Sequence, residues 1–328
     1  MTNPSFSALT FRHPAPGDAA RVLELMIRRD VEEVGHPDSS LDDLQDEWDH
    51  MSLERDAWLA VTPKGGLAGY AAVVPWFAAL RYDLYIDPSW PAAEQELGRD
   101  LLVRCQARGA ELAREGVCQP LARIYLAHVN AADRAMAEAA GFRPVQYHFQ
   151  MRIQMEAPPP PPEWLAGVTV RTALPGQDDQ AIHALIQAAF DRPGRTPQPF
   201  EAWHEFMMQS RLFRADLWFL AEAGGELAGA CLCFAYPEMG WVRQLGVAKG
   251  HRRRGLGTAL LRHAFGEFWK RDASLVGLAV NADNERAVGL YEAAGMKRVQ
   301  QYDEYQQPIL PDIGVTRPHE NSSMILCC

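Results

Sequence analysis

A chain of 328 residues with 48% hydrophobic and 23% charged residues has room for two domains and enough apolar material for a substantial core, which excludes a disordered protein. Its 42 acidic against 32 basic residues, net charge −10, exclude a general nucleic-acid binder, whose affinity comes mainly from neutralised phosphates. The most apolar stretch, Leu67 to Leu80, is interrupted by Gly69 and Pro75 and falls short of the ~18 residues a bilayer span needs; Met1 to Pro16 lacks a basic segment ahead of an apolar one, so the cytoplasm is the expected location.

Taken in order, the chain is written twice. A strand-like Leu9-Thr10-Phe11-Arg12 with Pro16-Gly17 opens it, and Asp56-Ala57-Trp58-Leu59 then leads to Gly66-Leu67-Ala68-Gly69. A strand, Leu84-Tyr85-Ile86, follows, then a loop expected at Ala93-Glu94-Gln95-Glu96-Leu97-Gly98, then Asn130, and Ala139-Ala140-Gly141-Phe142. The run Ala157 to Glu163, with five prolines in succession, reads as a stiff polyproline II spacer. Beyond it Val168-Thr169-Val170-Arg171 and Pro175-Gly176 answer the opening at an offset of 159, and Asp216-Leu217-Trp218-Phe219 with Glu226-Leu227-Ala228-Gly229 answer the second segment at 160. Ala293-Ala294-Gly295-Met296 answers the last. Three matches in one order argue for a duplicated domain. The expected division is 1–156, a spacer 157–167, a second copy 168–310 and a polar tail 311–328.

Within the second copy the periodicities predict a strand at Thr169–Arg171, helices at Asp178–Phe190 and Phe200–Gln209, and a hairpin of Leu217–Glu222 with Glu226–Phe234 around Ala223-Gly224-Gly225. A strand Trp241–Val247 follows; a basic, glycine-containing loop leads into a helix with Leu260, Leu261, Ala264, Phe265 and Phe268 on one face. Strand Leu275–Val280 precedes a helix opened by Asn281, Asp283 and Asn284. Each copy is a layered α/β unit of α+β type with a mixed sheet.

The loop asks for an anion. Leu245-Gly246-Val247 ends a strand and Arg252-Arg253-Arg254-Gly255-Leu256-Gly257-Thr258 opens a helix. First-turn amides lack intrahelical partners and point outward as donors, so a phosphate fits. Gly255 and Gly257 let the backbone come close, while Lys249 and the three arginines add attraction. A lone glycine pair of this kind also occurs in an ordinary strand-to-helix turn beside solvated arginines. Dinucleotide and Walker patterns fail here, the first because Leu260 follows where a third glycine belongs. No His-Glu-x-x-His, nucleophile elbow or cysteine-rich metal spacing occurs; Cys105, Cys118, Cys231 and Cys233 read as buried thiols, and no metal is expected. Cys327 and Cys328 form a pair on the tail, with nothing else to support a lipidation signal.

Leu245-Gly246-Val247, then Arg252-x-x-Gly255-x-Gly257, then Asn284-x-x-Ala287-x-x-Leu290-Tyr291-x-x-Ala294-Gly295-Met296 resembles the GCN5-related N-acetyltransferase (GNAT) superfamily, and through the repeat the whole chain resembles its tandem members. The resemblance implies acetyl-coenzyme A as co-substrate, its pyrophosphate on the amides of Arg253 to Thr258 and its pantetheine arm along Leu245 and Val247. Asn284 would hydrogen-bond to that arm, and Tyr291 would stand near the sulfur as general acid. Direct attack by a primary amine on the thioester would follow. Trp241-Val242-Arg243-Gln244-Leu245 has no carboxylate where many members carry a glutamate, so Glu238 or Glu222 acting through water is the remaining expectation for a base.

The first copy replaces the arginine and first glycine of the loop by residues 93–98 with two carboxylates, and Ala137 stands where Tyr291 does; the halves carry charges of −8 and −2. Only the second is therefore expected to react. Its acceptor pocket is expected from the region Pro193 to Arg214, with Phe200, Trp203, His204, Phe206, Met207, Met208 and Phe213, residues that equally suit a core. The acceptor expected is a small-molecule amine, with no nucleic-acid or membrane partner, in a monomer that is internally a pseudo-dimer or in a homodimer. A protein or peptide N-acetyltransferase and a non-catalytic acyl-CoA-binding regulatory module are the alternatives.

Overall fold

The computed structural model describes residues 8–76, 79–89, 91–116, 120–192 and 195–309. The expectations for Cys118, Pro193 and the 311–328 segment with Cys327 and Cys328 lie outside these residues, as do the side chains of Ala93 and Glu94.

The first half runs β1 (Thr10–Arg12), α1 (Ala19–Val34), α2 (Leu41–Asp49), α3 (Leu53–Asp56), β2 (Ala57–Val61), β3 (Leu67–Trp76), β4 (Ala79–Ile86), α4 (Pro91–Arg114), β5 (Leu121–Ala127), α5 (Ala131–Ala139) and β6 (Arg143–Gln154). The second repeats it: β7 (Val168–Thr172), α6 (Asp179–Ala189), α7 (Phe200–Met208), β8 (Phe213–Ala223), β9 (Glu226–Ala235), β10 (Gly240–Val247), α8 (Leu256–Trp269), β11 (Leu275–Asn281), α9 (Glu285–Ala293) and β12 (Lys297–Pro308). The predicted elements of the second copy are present with ends moved by a few residues, and β8 begins four residues early. Gly224 and Gly225, at φ of 63° and 83°, make the tight β8–β9 turn that only glycine adopts freely at two successive positions.

One expectation is corrected. Residues 93–98 are not a loop; they form the first turns of α4, because Ala-Glu-Gln-Glu-Leu is a run of strong helix formers where the second copy has Arg-Gly-Leu-Gly.

All the strands join one sheet in the order β1-β2-β3-β4-β5-β12-β6-β11-β10-β9-β8-β7. The order is symmetric about its centre and the last strands are exchanged. β12 pairs antiparallel with β5 from Tyr302–Ala127 to Pro308–Leu121, while β6 pairs with β11 from Leu275–Gln154 to Asn281–His148. The core follows the exchange: Tyr305 and Ile309 pack with Tyr82, Leu101 and Phe142 of the first half, and Met151 and Met155 pack with Leu260, Phe265 and Leu278 of the second. Full burial of one such side chain is worth roughly 1.5–3 kcal/mol, so each half takes two contributions of this kind from the other's last strand and the residue after it.

In each half one face of the sheet carries a long helix whose apolar stripe meets the core. Leu256, Leu260, Leu261, Ala264, Phe265 and Phe268 of α8 are buried, as are Leu97, Leu101, Leu102 and Cys105 of α4. The other face carries α1 and α2, or α6 and α7. Cys231 and Cys233 lie 3.7 Å apart, sulfur to sulfur, under α8 as packed thiols. Parallel pairing of β10 with β11 is confined to Gly240–Val276 and Trp241–Gly277, and that of β4 with β5 to Leu80–Ala122 and Arg81–Arg123. Beyond these pairs the strands splay.

Candidate active site

The splay of β10 from β11 opens onto a cavity of about 450 Å³, walled by Leu245 and Val247 on β10 and by His251 to Arg253 and Gly255 to Thr258 around the start of α8. Asn284, Arg286, Ala287, Leu290 and Tyr291 of the α9 region and Ala189 of α6 complete it. No side chain caps α8, whose N-cap is Gly255 at φ 87°, so the first-turn amides are open donors. Arg253 also holds a positive φ, 61°, a conformation that costs a non-glycine residue about 1 kcal/mol or more and that clusters at ligand clamps. At Gly257 a Cβ would come within 3.1 Å of Leu290, so a side chain there would press on Leu290 where α8 meets α9.

Arg252 acts as a brace. Its Nε donates to Val247 O at 2.9 Å and its Nη2 to Ala188 O and Ala189 O at 3.3 Å each, tying the end of β10 to the end of α6. Asn284 accepts from Ala287 N at 3.2 Å and so caps α9, which leaves its amide nitrogen to donate elsewhere. Tyr291 is half-buried, and burial raises its phenol well above its ordinary range, with Cys231 adding to the shift. It stays protonated at any working pH.

Of the residues expected from sequence, Leu245, Val247, Arg252, Arg253, Gly255, Leu256, Gly257, Thr258, Asn284 and Tyr291 meet around this cavity; Gly246 and Arg254 do not line it. Gly246 has a packing role, since a Cβ there would come within 2.9 Å of Ile186 and 3.1 Å of Ala189. Glu238 is displaced from the chemistry. It is exposed in the β9–β10 turn, seven residues before Leu245, or about 20 Å of extended strand. Glu222 is bound to Arg171 at 2.7 Å. Trp203 and Met207 are fully buried core residues, and His204 pairs with Asp179 at 3.4 Å. Sequence reasoning missed His251, Arg286 and Ala189, which carry no motif of their own.

In the first half the equivalent groove is filled. At the repeat offset of 160, Arg29 stands where Ala189 lines the cavity. Arg29 is 7% exposed and bonds Glu33 at 2.6 Å and Asp133 at 2.8 Å. Asn130, the counterpart of Asn284, donates to the same two carboxylates at 2.7 and 2.8 Å.

The first half also reaches across the second. Arg211 N donates to Asp46 at 3.0 Å and its guanidinium to Asp49 at 2.7 Å, and Tyr236 OH donates to Asp43 at 3.2 Å. Asp38 accepts from Tyr302 of β12 and from Gln150 and Arg152 of the exchanged β6, each at 2.8 Å. Where α2 meets β4, the side chains of Glu47, Asp83 and Arg81 keep 26%, 18% and 14% exposure. Arg81 binds both carboxylates. Burial, reinforced by Asp83 and Asp43, holds the Glu47 carboxyl up at about 7 despite Arg81.

The Acetyltransferase (GNAT) family model matches residues 180–296, and a mycothiol acetyltransferase of Salinispora arenicola is 32% identical over 272 residues, 74% of this chain and 78% of that protein. The chain belongs to the GNAT acetyltransferase family. Another GNAT relative, the mycothiol acetyltransferase of Acidothermus cellulolyticus, is 34% identical over 183 residues, 51% of this chain and 56% of that protein, so the match spans just over half its length. A GCN5-related N-acetyltransferase from Sphaerobacter thermophilus superposes with a TM-score of 0.80 at 30% identity, covering 94% of this chain and 98% of that one. As a GNAT protein the chain is an acetyl-CoA-dependent N-acetyltransferase. Among the described residues no helix is long and apolar enough to cross a membrane.

Proposed function

We propose that the second half alone binds acetyl-CoA and transfers its acetyl group to the primary amine of a small molecule, within a monomer in the cytoplasm. The observation that carries this reading is the contrast between the open cavity at the start of α8 and the same groove plugged by Arg29 in the first half. The lining suits the co-substrate: uncapped amides with Arg253 for the pyrophosphate, Leu245 and Val247 for the pantetheine arm, and the Asn284 amide for its polar groups. The relatives named above are mycothiol acetyltransferases, which fits a small amine acceptor.

In this reading the amine attacks the thioester carbonyl, a C–N bond forms, and the C–S bond breaks. Tyr291, held protonated, donates to the departing sulfur, and a β10 backbone amide near Val247 meets the oxyanion. The proton leaving nitrogen passes to Glu47, whose carboxyl near 7 is matched to that task. The first half thus lends the acid–base group that β10 lacks.

Calorimetric titration with acetyl-CoA tests the reading. One site per chain, lost in Gly255→Glu, is the expected result. No binding overturns the cofactor assignment, and two sites overturn the division of labour between the halves.

A further inference from the structure

Arg243 is the extra residue of a bulge in β10, since Val242 pairs with Cys233 and Gln244 with the adjacent Leu232. It stands two residues past the last parallel pair of β10 with β11 and two before Leu245, where the cofactor cavity begins. The guanidinium carbon lies 4.8 Å from the centre of the Phe206 ring. Among the described residues it has no hydrogen-bond or ion-pair partner.

A guanidinium offers five N–H donors, and here they are part-buried and turned to solvent rather than to a protein acceptor. Burial lowers its affinity for the proton; Tyr236, Asp43 and Glu47 act in favour of its charge, and Arg81 acts against it. The carboxylates that could answer it are engaged: Asp43 accepts from Ser40 at 2.7 Å and from Tyr236 at 3.2 Å, and Glu47 and Asp83 are held by Arg81.

We propose that Arg243 anchors an anionic group of the acceptor, and that the amine acetylated by this enzyme carries a carboxylate. The inference rests on the acceptor reading above and narrows it to amino-acid-like substrates. A zwitterion whose carboxylate meets Arg243 has its amine end left toward the cofactor cavity, which begins two residues along β10 at Leu245. A planar carboxylate also matches the guanidinium fork. A phosphate would bring a second negative charge with no partner.

The test is a panel of L-amino acids compared with their carboxamides and decarboxylated amines, with β-alanine set against phosphoethanolamine, assayed with acetyl-CoA in wild type, Arg243→Gln and Arg243→Lys. Wild type should prefer the carboxylated amines. Arg243→Gln should raise their KM roughly tenfold or more while leaving the KM for acetyl-CoA unchanged, so that the preference for acid over amide disappears; Arg243→Lys should restore part of it. Retained acetyl-CoA binding confirms that each variant is folded. Equal or better use of the amides by wild type, survival of the preference in Arg243→Gln, or preference for phosphoethanolamine over β-alanine overturns the carboxylate anchor alone. If protein that binds acetyl-CoA acetylates neither series, the acceptor reading falls, and this inference with it.

Discussion

At the scale of single residues, the proposed mechanism pairs a group that stays protonated, Tyr291, with one proposed to change charge near neutrality, Glu47. Burial keeps the Tyr291 phenol protonated, so Tyr291→Phe should lower kcat by roughly a hundredfold with little change in the KM for acetyl-CoA, and Tyr291 should contribute no limb to the pH profile. Glu47 accepts a proton only when ionised. With its carboxyl near 7, kcat/KM for the acceptor should rise through about pH 7, and Glu47→Gln should remove that limb and leave only the higher one set by the amine. A profile from pH 5.5 to 9 in which the variant keeps the limb removes Glu47 from the mechanism. The same shift has a sign for stability. Because the folded chain holds this proton above the ordinary value of 4.5, the stability it contributes is full below that value and is lost as pH climbs through about 7. Tyr291, Asn284 and the loop glycines were legible through the family resemblance their motif carries, and they meet around the cavity. Glu47 and Arg243 were not, since neither sits in a motif and their meaning depends on α2 meeting β10 across some 200 residues of chain.

At the scale of elements, two copies of one helix–strand arrangement diverge by a few side chains at the same groove. Ala189 at the end of α6 leaves the second groove open; Arg29 on α1 fills the first. Transplanting the plug should be decisive: Ala189→Arg is expected to weaken acetyl-CoA binding by at least tenfold without unfolding the chain, read by calorimetry beside circular dichroism. Unchanged affinity would mean that the end of α6 does not border the bound molecule. The helices and the β8–β9 hairpin followed from periodicity and glycine, whereas the expected 93–98 loop came from aligning it with the second copy and overlooked its helical composition. β12 went unassigned. Its sequence, Lys-Arg-Val-Gln-Gln-Tyr-Asp-Glu-Tyr-Gln-Gln-Pro, lacks the apolar, β-branched character of a central strand. It occupies the middle of the sheet because its neighbours answer its polar groups: His128 pairs with Asp303 at 2.9 Å and His148 with Glu304 at 3.0 Å.

At the scale of the whole molecule, the exchange of β6 and β12 makes one cooperative body from a duplicated sequence. The repeat and the proline run suggested two units, but which strand lies beside which is set by pairing between distant segments, and periodicity is silent on that. Heating should give a single calorimetric transition, and cutting at a protease site inserted in the 157–163 segment should leave the two pieces associated on size exclusion. Two separate transitions, or pieces that part, would contradict the exchange. The exchange also sets a clock on synthesis. While the ribosome makes the second half, at roughly 5–20 residues per second, β5 and β6 of the emerged first half expose unpaired edges for some ten to thirty seconds, because β12, which pairs with both, is made after all the other strands. The time spent unfinished during translation, rather than the strength of the finished sheet, should therefore govern how much of this protein a cell recovers in soluble form, and slowing translation through the second half should lower that yield.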